Sequence, residues 1–332
     1  MSVMRPAGHT PSLRGPSGQR ICKSCFRPGV ACVNQLGPMR KVIGIDLGGS
    51  AIKAVVATED GALLGEANQP FVDRDMEWAH AVRGLVARFE SQHGTCDGVG
   101  LSAPGLAARS GRAIAHLPGR LLGLEGLDWT TWLGRSTPVP VLNDAHAALL
   151  GESWRGAARG LEDVAMLTLG TGVGGAAIVD GRLLKGHLGR AGHLGHMTVD
   201  FNGPLDDVLT PGSIELEMGN KTVQARSGGR FASTRELVEA HLAGDAEATR
   251  LWNRSIRALA ACIASIANVL DPEAVIVGGG IAKAGATLFG PLQRELDRFE
   301  WRPGGAQVRI IPPQLGDIAG AYGSAWNALN AG

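Results

Sequence analysis

The sequence predicts an α/β protein made of two similar domains. Three observations carry that expectation. Lys41 to Gly61 reads as strand, glycine-rich turn, strand and hairpin. Val164 to Gly181 repeats that order. A chain of 332 residues is long enough for two domains, each burying its own core.

Taken in order, Met1 to Pro38 is rich in Pro, Gly, Ser and Arg and shows no periodicity, so it reads as a disordered extension. Cys22, Cys25 and Cys32 could ligate zinc with His9, but their spacing matches no regular finger. Ordered sequence begins directly after Met39, which makes Met39 the expected natural start. Lys41 to Leu47 and Ala51 to Thr58 read as strands, and Asp60-Gly61 as a hairpin into a third. A helix is expected from about Asp75 to His93, with Trp78, Val82, Leu85, Val86 and Phe89 on one face. A strand then ends in Ser102-Ala103-Pro104-Gly105, and a polar hairpin follows at Ser110-Gly111.

Val139 to Leu142 reads as an apolar strand running into Asn143-Asp144, with a helix from Ala145 to Trp154. The second unit has a strand from Val164 to Leu169, a loop from Gly170 to Gly175, a strand from Gly175 to Val179 and a hairpin at Asp180-Gly181. Asp200 to Gly212 is irregular. Ala246 to Leu270 is a long apolar helix and Ala274 to Val277 a buried strand. Gly278-Gly279-Gly280 is expected to open a helix at Ile281, and Asp317 to Leu329 to form a last helix packed back on the first unit.

Composition excludes several functions. With 32 basic and 31 acidic residues the net charge is +1, so nothing global draws the chain to nucleic acid or to anionic lipid. A single Tyr argues against a stacking platform for bases. The 49 glycines are about twice the usual share of roughly 7% and fall in turns between apolar segments, where they serve tight backbone or ligand loops. Five cysteines at irregular spacing make no disulfide framework and fit a reducing compartment. No stretch approaches the roughly 20 apolar residues of a membrane helix, so the expectation is a cytoplasmic protein with no membrane partner.

The motifs point to phosphoryl transfer. Asp46 stands at a strand end beside Gly48, Gly49 and Ser50, where backbone N–H groups can approach phosphate oxygens and the carboxylate can hold magnesium through water. Gly170, Thr171 and Gly172 follow the same logic with an added hydroxyl. Gly279 and Gly280 offer bare backbone to a base or ribose. None of these loops matches the P-loop pattern. Asp144 is a candidate general base, although an Asp after a strand is often only a helix N-cap. Asn143 could equally cap, and two candidate caps in succession suggest that one has another task. His193 and His196, three residues apart across a glycine, fit a polar loop better than a metal pair.

From Met39 onward the sequence resembles the ROK family of sugar kinases and sugar-responsive repressors, nearest to its glucokinase-like branch. The stretches that carry the resemblance are GIDLGGS (Gly44 to Ser50), VPVLNDAHAALLGE (Val139 to Glu152), LGTGVGGAAIVDGRLLKG (Leu169 to Gly186), AGHLGHMTVD (Ala191 to Asp200) and LDPEAVIVGGGIA (Leu270 to Ala282). The resemblance implies two actin-like (ribonuclease H-like) ATPase domains with a nucleotide and sugar cleft between them. Their expected extents are residues 39–142, joined by the C-terminal helix 317–332, and residues 143–316.

It implies ATP and Mg²⁺ as cofactors, a small sugar as substrate, and a homodimer. Asp144 becomes the base toward a sugar hydroxyl, and Asn143, Gly105, His116, His193, His196 and Glu215 become sugar ligands. Asp46, Gly48, Gly49, Ser50, Lys53, Gly170, Thr171, Gly172, Gly279 and Gly280 become the nucleotide site, with Asp46 holding Mg²⁺ through water.

Three departures from the family pattern bear on substrate. His193 replaces a Glu, exchanging a pure acceptor for a group that donates or titrates. His116 stands where many members have Asn. The family's zinc-binding cysteine triplet falls on Asp206, Val208 and Ser213, so no structural zinc is expected and the loop carrying Glu215 should be held by packing alone. The expected function is ATP-dependent phosphorylation of a hexose or N-acyl hexosamine. The alternative is a sugar sensor with weak catalysis. A repressor is disfavoured because the N-terminal stretch is too short and Pro-rich for a helix-turn-helix domain.

Overall fold

The structure is a computed structural model that describes residues 39–331. The readings of Met1 to Pro38, as a disordered extension or as the zinc ligands His9, Cys22, Cys25 and Cys32, lie outside the described residues. Residues 40–332 form one compact unit.

Two five-stranded sheets share one topology. The first holds β1 (Lys41–Leu47), β2 (Ala51–Thr58), β3 (Leu63–Pro70), β4 (Gly98–Ala103) and, beyond the short pair β5 (Leu106–Ala107) and β6 (Ile114–His116), β7 (Val141–Asn143). Its order is β3-β2-β1-β4-β7, with β1, β4 and β7 parallel and the β1-β2-β3 meander antiparallel. The second holds β8 (Val164–Leu169), β9 (Val173–Val179), β10 (Arg182–Leu183), β11 (Ala274–Gly278) and β12 (Arg309–Ile311), in the order β10-β9-β8-β11-β12. The parallel and antiparallel pairings match those of the first sheet. The parallel strands β4 and β11 are buried along their whole length, as strands covered on both faces must be.

Helices cover the sheets. α1 (Glu77–His93) buries Trp78, Val82, Leu85, Val86 and Phe89. It starts two residues later than its periodicity suggests, because Asp75 and Met76 take left-handed φ of 51° and 56°. The single turn α2 (Trp129–Trp132) is capped by Asp128. α3 (Asp144–Arg155) follows β7 without a break.

Beyond the second meander lie α4 (Ile214–Met218), α5 (Val223–Arg226), α6 (Thr234–Leu242), α7 (Ala246–Leu270), α8 (Ala286–Phe299) and α9 (Ala319–Asn330). Pro291 sits inside α8 and cannot donate to the carbonyl four residues back. The Trp252 indole N–H on α7 takes that Thr287 carbonyl instead, at 3.2 Å. α9 lies against β1 and α3 so closely that a Cβ at Gly44 would meet the Ala321 carbonyl oxygen at 1.8 Å, and one at Gly323 the Ala147 oxygen at 1.7 Å.

Several boundaries differ from the sequence reading. β9 begins at Val173, so the second glycine loop is only Gly170 to Gly172, closed by a Gly170 N–H to Gly172 carbonyl bond of 2.9 Å. No continuous helix starts at Ile281: a 3-10 turn, Ile281–Ala284, ends at Gly285 with φ 58°, and α8 follows. Another 3-10 turn, Gly316–Ile318, occupies the expected start of the last helix.

The loop carrying Glu215 is not held by packing alone. Asp206 is buried at its centre and accepts from the N–H groups of Val208 (3.0 Å) and Thr210 (2.8 Å). Val199 and Asp200 both donate to the Gly212 carbonyl. A short polar side chain can organise a turn through its own downstream N–H groups, and here one has done so.

Candidate active site

Asp46, one residue before the end of β1, stands opposite Ser102 of β4, and the Ser102 hydroxyl donates to its carboxylate at 2.7 Å. Lys53 is its cross-strand partner on β2 and lies 4.0 Å from Asp317. Burial pushes the Asp46 carboxyl up to about 6. The Ser102 bond opposes that rise, the charge of Asp144 adds to it, and Lys53 opposes it.

Asp144 is the first residue of α3 and does not cap it. The cap is Asn143, whose amide oxygen accepts from Ala145 N (2.9 Å) and His146 N (3.3 Å) while its NH₂ donates to the Gly105 carbonyl (2.9 Å). Asp144 keeps one bond from Ala145 N at 2.8 Å and remains open to a cavity. The protein crowded around that opening raises its carboxyl above the ordinary range. The Ala145 N–H, the Asn143 side chain and the Arg120 charge hold the rise back.

Asp46, Lys53, Asp144 and Gly279 line one cavity of about 360 Å³, with Thr168, Lys283 and Asp317. A second cavity, of about 700 Å³, is lined by Gly170, Thr171, Gly280, Asn220, Arg235 and Lys283. Lys283 borders both, and Gly279 and Gly280 stand one on each side of the step between them. Gly48, Gly49 and Ser50 form the β1–β2 turn. Arg120 lays its guanidinium over Gly49, where a Cβ would stand 2.5 Å from Nη2. Gly172 abuts the Glu215 carboxylate.

The residues that the resemblance places around the sugar line neither cavity. They form a chain of contacts beside Asp144. Asn143 holds the Gly105 carbonyl, and Gly105 (φ 97°) lies against the backbone oxygen of His116. The His116 ring itself is exposed, with Nδ1 3.5 Å from Glu125.

Glu215 is buried at the start of α4. It accepts from Val173 N at 2.9 Å and pairs with Lys221. His193 has a buried Nε2 with no partner, and its ring meets the His146 ring edge-on, centroids 5.6 Å apart. Burial lowers the pKa of His193, and the nearby His196 adds to that. Burial and the His193 neighbour push His146 down to about 4, against the raising effect of its 3.0 Å bond to the Ala191 oxygen. His196 bonds through Nδ1 to Asp206 at 3.0 Å.

A zinc ion does not fit this loop. Val208 has no ligand atom and is exposed, and both Asp206 oxygens are engaged. Among the described residues no three His, Cys, Asp or Glu side chains converge as a structural zinc site would require.

Reasoning from sequence missed Ser102, Arg120, Lys283, Asp317 and Asp206. Ser102 carried a signal, as the one hydroxyl in an otherwise apolar strand that aligns with Asp46. Lys283 carried a weaker one, as the lone charge in Ile281 to Ala286. Asp317 reads in the sequence only as the first residue of the last helix and stands instead in the 3-10 turn before it. Asp206 reads only as a position that lacks a zinc ligand, and Arg120 lies in an irregular segment with no periodicity to place it.

The family model described as "ROK family" matches residues 42–331. A glucokinase of Thermotoga maritima is 32% identical over 313 residues, covering 87% of this chain and 97% of the relative. An N-acetylmannosamine kinase of Vibrio cholerae is 30% identical over 279 residues, covering 82% and 93%. A ROK family glucokinase from Streptomyces griseus, solved in complex with glucose and AMPPNP, superposes with a TM-score of 0.72 at 28% identity, covering 87% of this chain and 99% of that one. The fold is the α/β actin-like ATPase fold of such kinases. With the family model spanning nearly the whole described chain and a relative 32% identical along most of its length, the chain belongs to the ROK family.

Proposed function

We propose that the chain is an ATP-dependent carbohydrate kinase that phosphorylates a hexose or an N-acyl hexosamine, with Asp144 as general base. The observation that carries this reading is the release of Asp144 from capping. Asn143 satisfies the helix terminus, and the Asp144 carboxylate opens instead onto a cavity shared with Asp46, Lys53 and Lys283. A raised carboxyl suits a base that must take a proton from a hydroxyl, because its proton affinity moves toward neutrality.

The sugar hydroxyl gives its proton to Asp144 as its oxygen forms a bond to the terminal phosphorus of ATP. The bond from that phosphorus to the bridging oxygen breaks, and ADP leaves. The larger cavity suits adenosine, with Gly280 as bare backbone against it and Gly170 and Thr171 toward the phosphates. Lys53 and Lys283 supply positive charge where the phosphates run.

Asp46 fits a water-mediated magnesium contact, since it borders the cavity and the charge of Asp144 acts on it there. Magnesium, when bound, neutralises phosphate charge. Asn143, Gly105, His116, His193, His196 and Glu215 are proposed to hold the sugar, and the unpartnered His193 Nε2 offers a hydroxyl one hydrogen bond. A homodimer is proposed as the working form, and sedimentation of the purified protein reads it directly.

The test is a coupled ADP-release assay over glucose, mannose, fructose, allose, N-acetylglucosamine and N-acetylmannosamine, beside Asp144→Asn. One sugar should drive turnover, and the variant should lose about 10²- to 10⁴-fold. Failure of every sugar with Asp144 intact would sink the kinase reading. One observation favours the sensor alternative: His193 stands in place of an acceptor Glu and packs half-buried against His146 with its Nε2 enclosed. Calorimetry separates the two, because a sensor binds sugar tightly without turnover.

A further inference from the structure

Asp206 lies in the loop where the family's zinc ligands are expected, and what it does there is specific. Its side chain is fully buried. One oxygen, Oδ1, accepts the N–H groups of Val208 and Thr210, closing the loop on itself. The other, Oδ2, lies 3.0 Å from His196 Nδ1. Burial alone would raise the Asp206 carboxyl, but His196, the Thr210 N–H, the nearby Ser213 hydroxyl and the Val208 N–H outweigh it and hold the group below the usual carboxylate range. An ionised carboxylate only accepts, so the proton between the two residues sits on His196 Nδ1. In the neutral ring that leaves Nε2 as an acceptor. Nε2 has no protein partner among the described residues, and a third of the His196 side chain is exposed.

We propose that Asp206 is a positioning residue of the sugar site, doing through a hydrogen bond what a zinc ion cannot do in this loop: it orients His196 and fixes its tautomer so that Nε2 accepts from a sugar hydroxyl. The inference rests on the reading above that His196 touches the sugar. A carboxylate behind an imidazole is a general means of setting ring orientation and tautomer. Here the same carboxylate also folds the loop that leads to Glu215, so the two sugar-facing groups share one anchor.

The decisive variant is Asp206→Asn. Two backbone N–H groups demand an acceptor at the Oδ1 position, so the amide oxygen must sit there and the amide NH₂ must face His196. An NH₂ group donates, Nδ1 must then accept, and the ring proton moves to Nε2. The loop bonds survive while the sugar-facing nitrogen changes from acceptor to donor. Asp206→Ala removes both.

Long-range ¹⁵N correlation spectra of the ligand-free protein read the tautomer without reference to any substrate, and steady-state kinetics read the consequence. For Asp206→Asn the expected result is a switched His196 tautomer, a melting temperature near that of the parent, and a sugar KM raised about tenfold or more with the ATP KM unchanged. Asp206→Ala should lose melting temperature as well. An unchanged tautomer in Asp206→Asn overturns the proposal. A switched tautomer with an unchanged sugar KM overturns the contact between His196 and sugar, and with it the functional role of Asp206. One equivalent of zinc retained by the protein through EDTA treatment also overturns it.

Discussion

The amide oxygen of Asn143 accepts the Ala145 N–H at 2.9 Å, and in doing so Asn143 separates two tasks that one carboxylate often combines. It caps α3 and anchors Gly105, while the next residue faces the cavity. Asn143→Ala should therefore cost about 0.5–2 kcal/mol of stability for the cap. It should also lower kcat, since the start of α3 loses its tie to Gly105. Urea denaturation and sugar-dependent turnover on the same sample check both. Full stability in Asn143→Ala would remove the cap from the account. Asn143→Asp keeps the capping acceptor but sets a carboxylate oxygen against the Gly105 carbonyl and a charge beside Asp144, so it should recover part of the stability and little of the activity.

This separation was half legible in the sequence. Two residues able to cap, side by side after a strand, show that one is surplus, but which one caps depends on backbone angles that no pattern states. The repeated strand-turn-strand-hairpin was legible because its alternation and its Asp-Gly turns are local. β4 and α7 were legible for the same reason, one being apolar but for Ser102 and the other keeping a stripe over 25 residues. The anchors of the site were harder to see. Asp206 works through an oxygen shared by two N–H groups within four residues and an imidazole ten residues away. Nothing in its neighbours marks it. Arg120 reaches Gly49 across an irregular loop, a contact set by tertiary approach alone.

Arg120 gives a second prediction. Its guanidinium lies over Gly49 and its charge lowers the Asp144 pKa, so it stands between the expected phosphate loop and the base. Arg120→Gln should reduce kcat/KM for ATP about tenfold, the size of one charge-assisted contact. Removing a cation near an acid raises that acid's pKa, and Asp144 must be ionised to act. The acidic limb of the pH–rate profile should move to higher pH. A limb that stays in place would show that Arg120 does not act on Asp144.

Gly323 gives a third. α9 meets α3 with no room for a side chain, and a Cβ at Gly323 would lie 1.7 Å from the Ala147 carbonyl oxygen. That atom is backbone, so the helices themselves must part. Gly323→Ala should destabilise by about 1–3 kcal/mol, as overpacking does. Because α3 carries Asp144 at its first position, the displacement should also reduce kcat in the folded fraction. Gly84 offers the control, since a Cβ there meets nothing within 4 Å on the same kind of element. Gly84→Ala should stabilise slightly, by up to about 1 kcal/mol, through helix propensity. Equal effects at the two sites would refute the packing argument.

The last prediction concerns pH, where two groups of the site oppose each other. Asp46 is raised from 3.8 to about 6, so the folded state holds its proton more tightly than the unfolded state. Between about pH 4 and 6 its contribution to stability falls as pH rises. His146 is lowered from 6.5 to about 4, so the unfolded chain binds the extra proton across nearly the same window. Its contribution rises with pH, by on the order of 3 kcal/mol for a shift of this size in a buried ring. The parent protein should therefore show a shallow slope between pH 4.5 and 6.5. Asp46→Asn removes the falling part, so stability should climb more steeply with pH. His146→Gln removes the rising part and should turn the slope downward. Denaturation midpoints of the three proteins at pH 4.5, 5.5 and 6.5 suffice, and parallel curves would mean that neither group changes its proton affinity on folding.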